Sequence, residues 1–132
     1  MPASKTVDPD KFIGVFSHKL AANLAGLGWI GKSCLLITPD YGPRIRLATI
    51  LTDAPLKASS MISSKCGNCM ECVNICPAKA FTGASFNPLE PREARFNPNL
   101  HRDYSKKREE KLGEGICGLC VYICPYGRPR KN

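Results

Sequence analysis

The apolar positions change rhythm along the chain. Over residues 17–27, Leu20, Leu24 and Leu27 recur at helical spacing around Ala21, Ala22 and Ala25, which predicts a helix. Ser17 suits its N-cap, and Gly26 and Gly28 are suited to stop it. The run SCLLITPD (33–40) predicts a short strand, followed by a turn at YGP. The next run, RIRLATILTD, alternates Ile45, Leu47, Thr49 and Leu51 against Arg44, Arg46, Ala48 and Ile50, the pattern of a half-buried strand. Residues 17–52 thus predict helix, strand, strand, with the two strands as a hairpin. Residues 1–16 hold Pro2, Pro9 and Gly14 with little periodicity and predict a loose leader. DAPLKASSMISS (53–64) reads as a linker and HRDYSKKREEKL (101–112) as an exposed helix, Lys107 and Lys111 pairing only weakly with Glu109 and Glu110. The expected organisation is a leader (1–16), a small unit with glycine turn and β-hairpin (17–58), and a cysteine-rich lobe (59–132). The fold class is α+β.

The stretch GLGWIGKS (26–33) fits two nucleotide-binding patterns at once, Gly26-x-Gly28-x-x-Gly31 and Gly26-x-x-x-x-Gly31-Lys32-Ser33. Both require a strand before the glycines and a helix after them, because the helix N-terminus holds the phosphate. Here the helix comes first, and no acidic residue closes a βαβ unit about twenty residues later. The glycines are expected instead to close a helix and launch a strand. Trp29 and Ile30 then pack inward, and Lys32 is a surface charge.

A chain of 132 residues has room for one domain or two small lobes with a modest core. The runs CLLI and ATIL are too short to cross a bilayer, and MPASKTVDPDKF has no apolar signal core, so no membrane span and a cytoplasmic location are expected. The formal charge is +8, with basic residues late in the chain: Arg102, Lys106, Lys107, Arg108, Lys111, Arg128, Arg130 and Lys131. That balance admits an anionic protein, a nucleic acid or a membrane surface as partner without choosing, and a solvated face explains it equally.

Seven of the eight cysteines fall in two tight groups in the second half of the chain. In a cytosolic protein such grouping indicates metal or redox chemistry rather than disulfides. CGNCMECVNICP (66–77) spaces its cysteines by two, two and three residues and ends on proline, the run of double-cluster ferredoxins. The two-residue gaps let three thiolates converge on three irons of a cubane. The longer gap and Pro77 send Cys76 to a different cluster. CGLCVYICP (117–125) repeats the pattern with one cysteine fewer and Glu114 in the vacant place. Crossing of the last thiolates assigns Cys66, Cys69, Cys72 and Cys124 to cluster I, and Cys76, Cys117, Cys120 and one further ligand to cluster II. A zinc site has little use for cysteines so placed.

For the further ligand, Glu114 has the spacing but is a hard carboxylate, ill matched to iron–sulfur chemistry. His101 lies upstream in NLHRDYSKK, and imidazole is an attested replacement for thiolate at such centres. Cys34, at the start of an apolar run, is expected to be a buried small hydrophobe, and His18 a polar-face or capping residue. Ile75, Phe81, Ile116, Val121 and Ile123 are expected to form an apolar sleeve around the clusters, with Pro77 and Pro125 shaping their turns.

Taken together, residues 17–126 resemble the C-terminal part of the epoxyqueuosine reductase and reductive dehalogenase superfamily. AGLGWIGKSCLLI (25–37) is similar to its glycine segment, ITPDYGPRIRLATILTDAPL (37–56) to its β-hairpin, and the two cysteine groups to its double-cluster ferredoxin module. The resemblance implies a ferredoxin-like domain with two 4Fe–4S clusters over 59–132. In that family the fourth ligand of the second cluster is a cysteine upstream of the second group, often followed by a tyrosine. LHRDY (100–104) sits there, with His101 in place of the cysteine and Tyr104 following. A second cluster of 3Fe–4S type, or one with a solvent-filled iron position, is the alternative. The family also builds a cobalamin pocket in an N-terminal half, with an acidic proton donor about six residues before the position of His18. Here Phe12 stands near that place, with Asp8 and Asp10 in loose register.

The expected function is electron transfer to or within a redox enzyme by an iron–sulfur protein that docks on a redox partner. A second reading is a truncated or split cobalamin-dependent reductase subunit, acting on modified tRNA or an organohalide. A third is a zinc-bearing nucleic-acid module.

Overall fold

The structure is a computed structural model that describes residues 6–8, 13–57 and 59–128. Asp10, Phe12, Arg130 and Lys131, weighed above, lie outside the described residues. The chain opens with a short antiparallel pair, β1 (Thr6–Asp8) against β2 (Ile13–Gly14). The expected leader therefore contains paired backbone, which its lack of periodicity did not announce.

Helix α1 (His18–Leu24) forms as its sequence predicts. The Ser17 side chain accepts a hydrogen bond from the Leu20 N–H, and Ala25 closes the last turn onto Ala21. Its inward face, however, is Ala22 and Asn23, while Leu20, Leu24 and Leu27 remain exposed. Asn23 explains the choice, because its side-chain amide donates to the Gly28 carbonyl at 2.9 Å and ties the helix to the following turn.

The hairpin is not where the alternation placed it. β3 (Trp29–Ile30) pairs with β4 (Leu36–Ile37), in register Trp29 with Ile37 and Ile30 with Leu36. All four residues are buried, and with Ala22 they make the core of the first unit. Residues 44–52 form no strand. A bridge between Thr38 and Gly42 reverses the chain at once, and Arg44 is then drawn to three carbonyls of the C-terminal turn, those of Tyr122, Cys124 and Tyr126. The segment is led away from β4. Ile50 and Leu51 are left almost fully exposed. A strand needs a neighbour for its backbone groups, and this one has none among the described residues.

The cysteine-rich part is built from two short helices that pack together, α2 (Glu71–Asn74) and α4 (Leu119–Ile123). Between them the chain makes one turn of 3₁₀ helix at Arg92–Ala94 and the long helix α3 (Pro98–Leu112). α3 starts three residues before the expected 101. The Asn97 side chain caps it by accepting from the N–H groups of Asn99 and Leu100, and Pro98 follows at the first helical position, a start signal readable in the sequence. Gly113, with φ of +74°, ends it. No helix among the described residues is long and apolar enough to cross a membrane.

Candidate metal centre

The first cysteine group forms a loop that bends over the glycine turn. Cys66 opens it, and the Cys69 N–H turns back to the Cys66 carbonyl at 2.9 Å. Cys72 lies on α2, and Cys76 is buried beyond it. The second group places Cys117 before α4, Cys120 within it and Cys124 at its end.

The folded chain sorts these thiols into two sets. A small cavity is lined by Cys66, Cys69, Cys72 and Cys124, closed by Gly31 and Tyr126. Burial first, then the charges of Cys66, Cys69, Cys120 and Cys124, push the Cys72 thiol up to about 11. Burial likewise raises Cys124; a backbone hydrogen bond at Tyr126 and the Arg44 charge oppose the rise, while Cys66 and Cys69 add to it. Cys120 is raised by burial and then by Cys117 and Cys76. The neighbours are thus Cys66, Cys69, Cys72 and Cys124 on one side and Cys76, Cys117 and Cys120 on the other. Each group has sent its last thiol across to the other, and the sets touch through Cys72 and Cys120 on the packed helices α2 and α4.

Thiols crowded and partly buried in this way resist ionisation, and a bound metal would offset the charge they gain as thiolates. The donor chemistry fits iron–sulfur clusters. No three His, Cys, Asp or Glu side chains among the described residues converge on a single ion position.

His101 stands in the first turn of α3 and, with Cys120, borders a larger cavity of about 450 Å³. Phe96 holds one side of its ring, at a centroid distance of 5.7 Å, and Phe96 is itself stacked on Phe81 at 5.4 Å. Glu114 is exposed in the loop after α3 and borders neither cavity. Of the expected apolar sleeve, Ile75, Phe81, Val121 and Ile123 are half-buried, but Ile116 is 76 % exposed. It precedes Cys117 in an extended stretch whose carbonyl is held by Arg108, which turns its side chain outward.

The glycine turn belongs to this centre. A methyl group on Gly31 would stand 2.9 Å from Ile37 Cγ1 and 3.5 Å from Cys66 Sγ, and one on Gly28 would overlap the Ile37 carbonyl. These glycines are thin because the cysteine loop and β4 lie against them. Lys32 donates to the Gly67 carbonyl at 2.8 Å and reaches Met70 Sδ at 3.5 Å. It is a strut for the thiol loop rather than a free surface charge. Sequence reasoning also missed Arg44 and Tyr126. Tyr126 donates its hydroxyl to the Lys65 carbonyl at 2.6 Å, and no local pattern marks either residue. His18 meets Thr49 at 2.8 Å. Cys34 is only half-buried, at φ of +55°, where a turn from Gly31 places it beside the larger cavity.

Residues 65–127 match the family described as the 4Fe-4S double cluster binding domain. The chain is 32 % identical to the epoxyqueuosine reductase of Listeria monocytogenes over 125 residues, which is 87 % of this chain and 31 % of that protein. The epoxyqueuosine reductase of Bacillus subtilis has the same fold over 91 % of this chain and 32 % of its own, with a TM-score of 0.69 at 24 % identity. An epoxyqueuosine reductase solved with an epoxyqueuosine-modified tyrosine tRNA stem loop aligns over 86 % of this chain and 31 % of its own, with a TM-score of 0.67 at 25 % identity. The chain spans about a third of the length of the relatives it matches. It carries a double-cluster iron–sulfur domain, and it resembles the C-terminal part of those reductases.

Proposed function

We propose that this chain relays single electrons through two 4Fe–4S clusters to the reacting centre of a reductase. Cys66, Cys69, Cys72 and Cys124 hold the first cluster. Cys76, Cys117 and Cys120 hold the second, with His101 as its fourth ligand. The supporting observation is the sorting of seven thiols into two crossed sets that meet at Cys72 and Cys120. When bound, each cluster takes up and releases one electron without rearrangement of its ligands. The protein's own part is to hold thiols, limit water and set spacing. Ile37 and Tyr126 line the cavity of the first set, with Trp29 packed on Tyr126, and Phe96, stacked on Phe81, packs against the His101 ring at the cavity that Cys120 also borders.

The second reading is that the chain serves as the iron–sulfur part of a cobalamin-dependent enzyme that reduces a modified base in tRNA. Its support is that the relatives are epoxyqueuosine reductases and that one of them was solved with a tRNA stem loop. The basic residues of α3 suit an anionic partner, whether that is tRNA or an acidic redox protein. Cobalamin itself does not fit the residues described. The larger cavity, at about 450 Å³, matches a small organic ligand and not a corrinoid.

The test is an anaerobic preparation assayed for iron, acid-labile sulfide, cobalt and zinc, followed by EPR of the reduced protein. About eight irons per chain are expected, and about seven would indicate a three-iron second cluster. H101C should keep the second cluster's signal with altered g-values, and H101A should convert or lose it. Unchanged spectra in both variants would remove His101 from the ligand set. Absence of iron and sulfide after reconstitution would overturn the whole reading.

A further inference from the structure

We propose that the larger cavity is a binding site for a small carboxylate with an apolar body, its acid group held by Arg95 and Lys19. His101 and Cys120, proposed above as ligands of the second cluster, border the same cavity, so the proposal rests in part on that reading. Arg95, a lining residue, is only 8 % exposed, and its buried Nε–H has no hydrogen-bond partner. Its guanidinium lies over the Phe86 ring at 4.6 Å, a contact that steadies the cation without using its donors. A buried guanidinium with an idle donor is costly unless an acceptor arrives.

Two more cations border the same space. Lys19 donates to the Cys34 carbonyl at 2.7 Å, which leaves its other two N–H groups available. Arg92 stands at the rim and pairs with Glu93 at 2.8 Å. Lys19 is held below the usual lysine range by burial, with the Cys34 thiol opposing and the charges of Arg92 and Arg95 adding to the fall. Among the described residues Glu90 is the one carboxylate that lines the cavity, against the three cations Lys19, Arg92 and Arg95. The local field therefore favours a bound anion. The wall also carries an apolar body, Phe81, Phe86, Phe96, Leu20 and Ile30, beside the polar Ser17, Ser33 and His101. About 450 Å³ is in the range of small-molecule sites, roughly 300–1,000 Å³. The charges acting on Cys34 are those of Arg95, Lys19 and Arg92, whereas those acting on Cys120 are Cys117 and Cys76. The cationic end is thus distinct from the end that borders the second thiol set.

The probe is benzoate, titrated calorimetrically into the anaerobically purified, cluster-loaded protein, with benzyl alcohol and inorganic phosphate as comparisons. Benzoate should bind saturably at one site, and each comparison should bind at least about tenfold more weakly, the loss typical of a charge-assisted pair. Arg95→Met and Lys19→Gln should each weaken benzoate about tenfold with the visible absorption of the clusters unchanged. Lys107→Gln, on the exposed face of α3, should leave binding as it is. Lys19→Gln keeps the test decisive if Arg95→Met does not fold. Absence of saturable benzoate binding, equal binding of benzyl alcohol, equal binding of phosphate, or an unaffected Lys19→Gln would each overturn the proposal. Iron content, read on the same samples, fails or holds separately from it.

Discussion

Trp29 and Tyr126 meet edge to face, their ring centroids 4.9 Å apart and their planes at 83°. Trp29 is the most deeply buried large side chain of the hairpin, and Tyr126 follows the last cysteine of the second group. Their contact joins the glycine turn to the residues that follow Cys124, and Tyr126 lines the cavity of the first thiol set.

Truncation of that contact should be expensive. Trp29→Ala is expected to cost about 3–5 kcal/mol of stability, the range for removing a large aromatic from a core. Tyr126→Phe removes only the hydrogen bond to the Lys65 carbonyl, for which about 1 kcal/mol is expected. Anaerobic urea unfolding of the loaded protein measures both. If the two variants were equally stable, the ring contact would not be what holds this junction.

Arg44 fixes the backbone around Cys124. Its guanidinium donates to the carbonyls of Tyr126 at 2.7 Å, Tyr122 at 3.0 Å and Cys124 at 3.3 Å. Arg44→Lys keeps the charge but loses the fork. Each charged hydrogen bond lost is expected to cost on the order of 1.5–3 kcal/mol. Iron should be stripped from the first cluster by a chelator several-fold faster, with the second cluster lagging. Loss of both clusters at one unchanged rate would contradict this role.

Gly31→Ala is expected to lower occupancy of the first cluster, because its methyl group would press on Ile37 and approach Cys66 Sγ. A nucleotide site would respond differently. Equilibrium dialysis with ATP should show no binding to wild type, and added ATP should not change iron content in either protein. Saturable ATP binding lost in Gly31→Ala would restore the P-loop interpretation.

The metal-free protein should lose stability as pH rises. Cys72 is raised from about 9 in the unfolded chain to about 11 in the fold, by burial first and neighbouring thiols second. Between those values the folded state holds a proton that the unfolded state has released, so stability falls with pH. The contribution is fully present below about pH 9 and is lost through about pH 11. Thermal unfolding of metal-free protein from pH 7.5 to 10.5 should show a falling Tm. The loaded protein, its thiolates bound to iron, should lack the Cys72 part of that fall.

The iron–sulfur character of the chain was legible in its cysteine spacing. The spacing of Cys66, Cys69 and Cys72 names its own chemistry, because one loop must supply three thiolates to one cube. The order of helix, glycines and strand was legible too, and α1 closes just ahead of the turn that leads into β3. The strand assigned to 44–52 failed for a reason outside that segment. Its alternation is real, with Ile45 and Leu47 half-buried beside exposed Arg44 and Arg46, but alternation names a face and not a partner strand. The stripe of Leu20, Leu24 and Leu27 likewise announced a helix and then pointed outward.

What the residue order determined by itself is whatever closes within a few residues. The Ser17 cap, the Asn97–Pro98 helix start and the thiol spacings are of that kind, since their partners are near neighbours along the chain. Tertiary structure alone decided that Gly31 lies under Cys66, that Arg44 holds the turn of Cys124, and that β3 rather than residues 44–52 pairs with β4. Each depends on segments far apart in sequence competing for the same backbone groups and the same buried volume. No local pattern records which of them arrives.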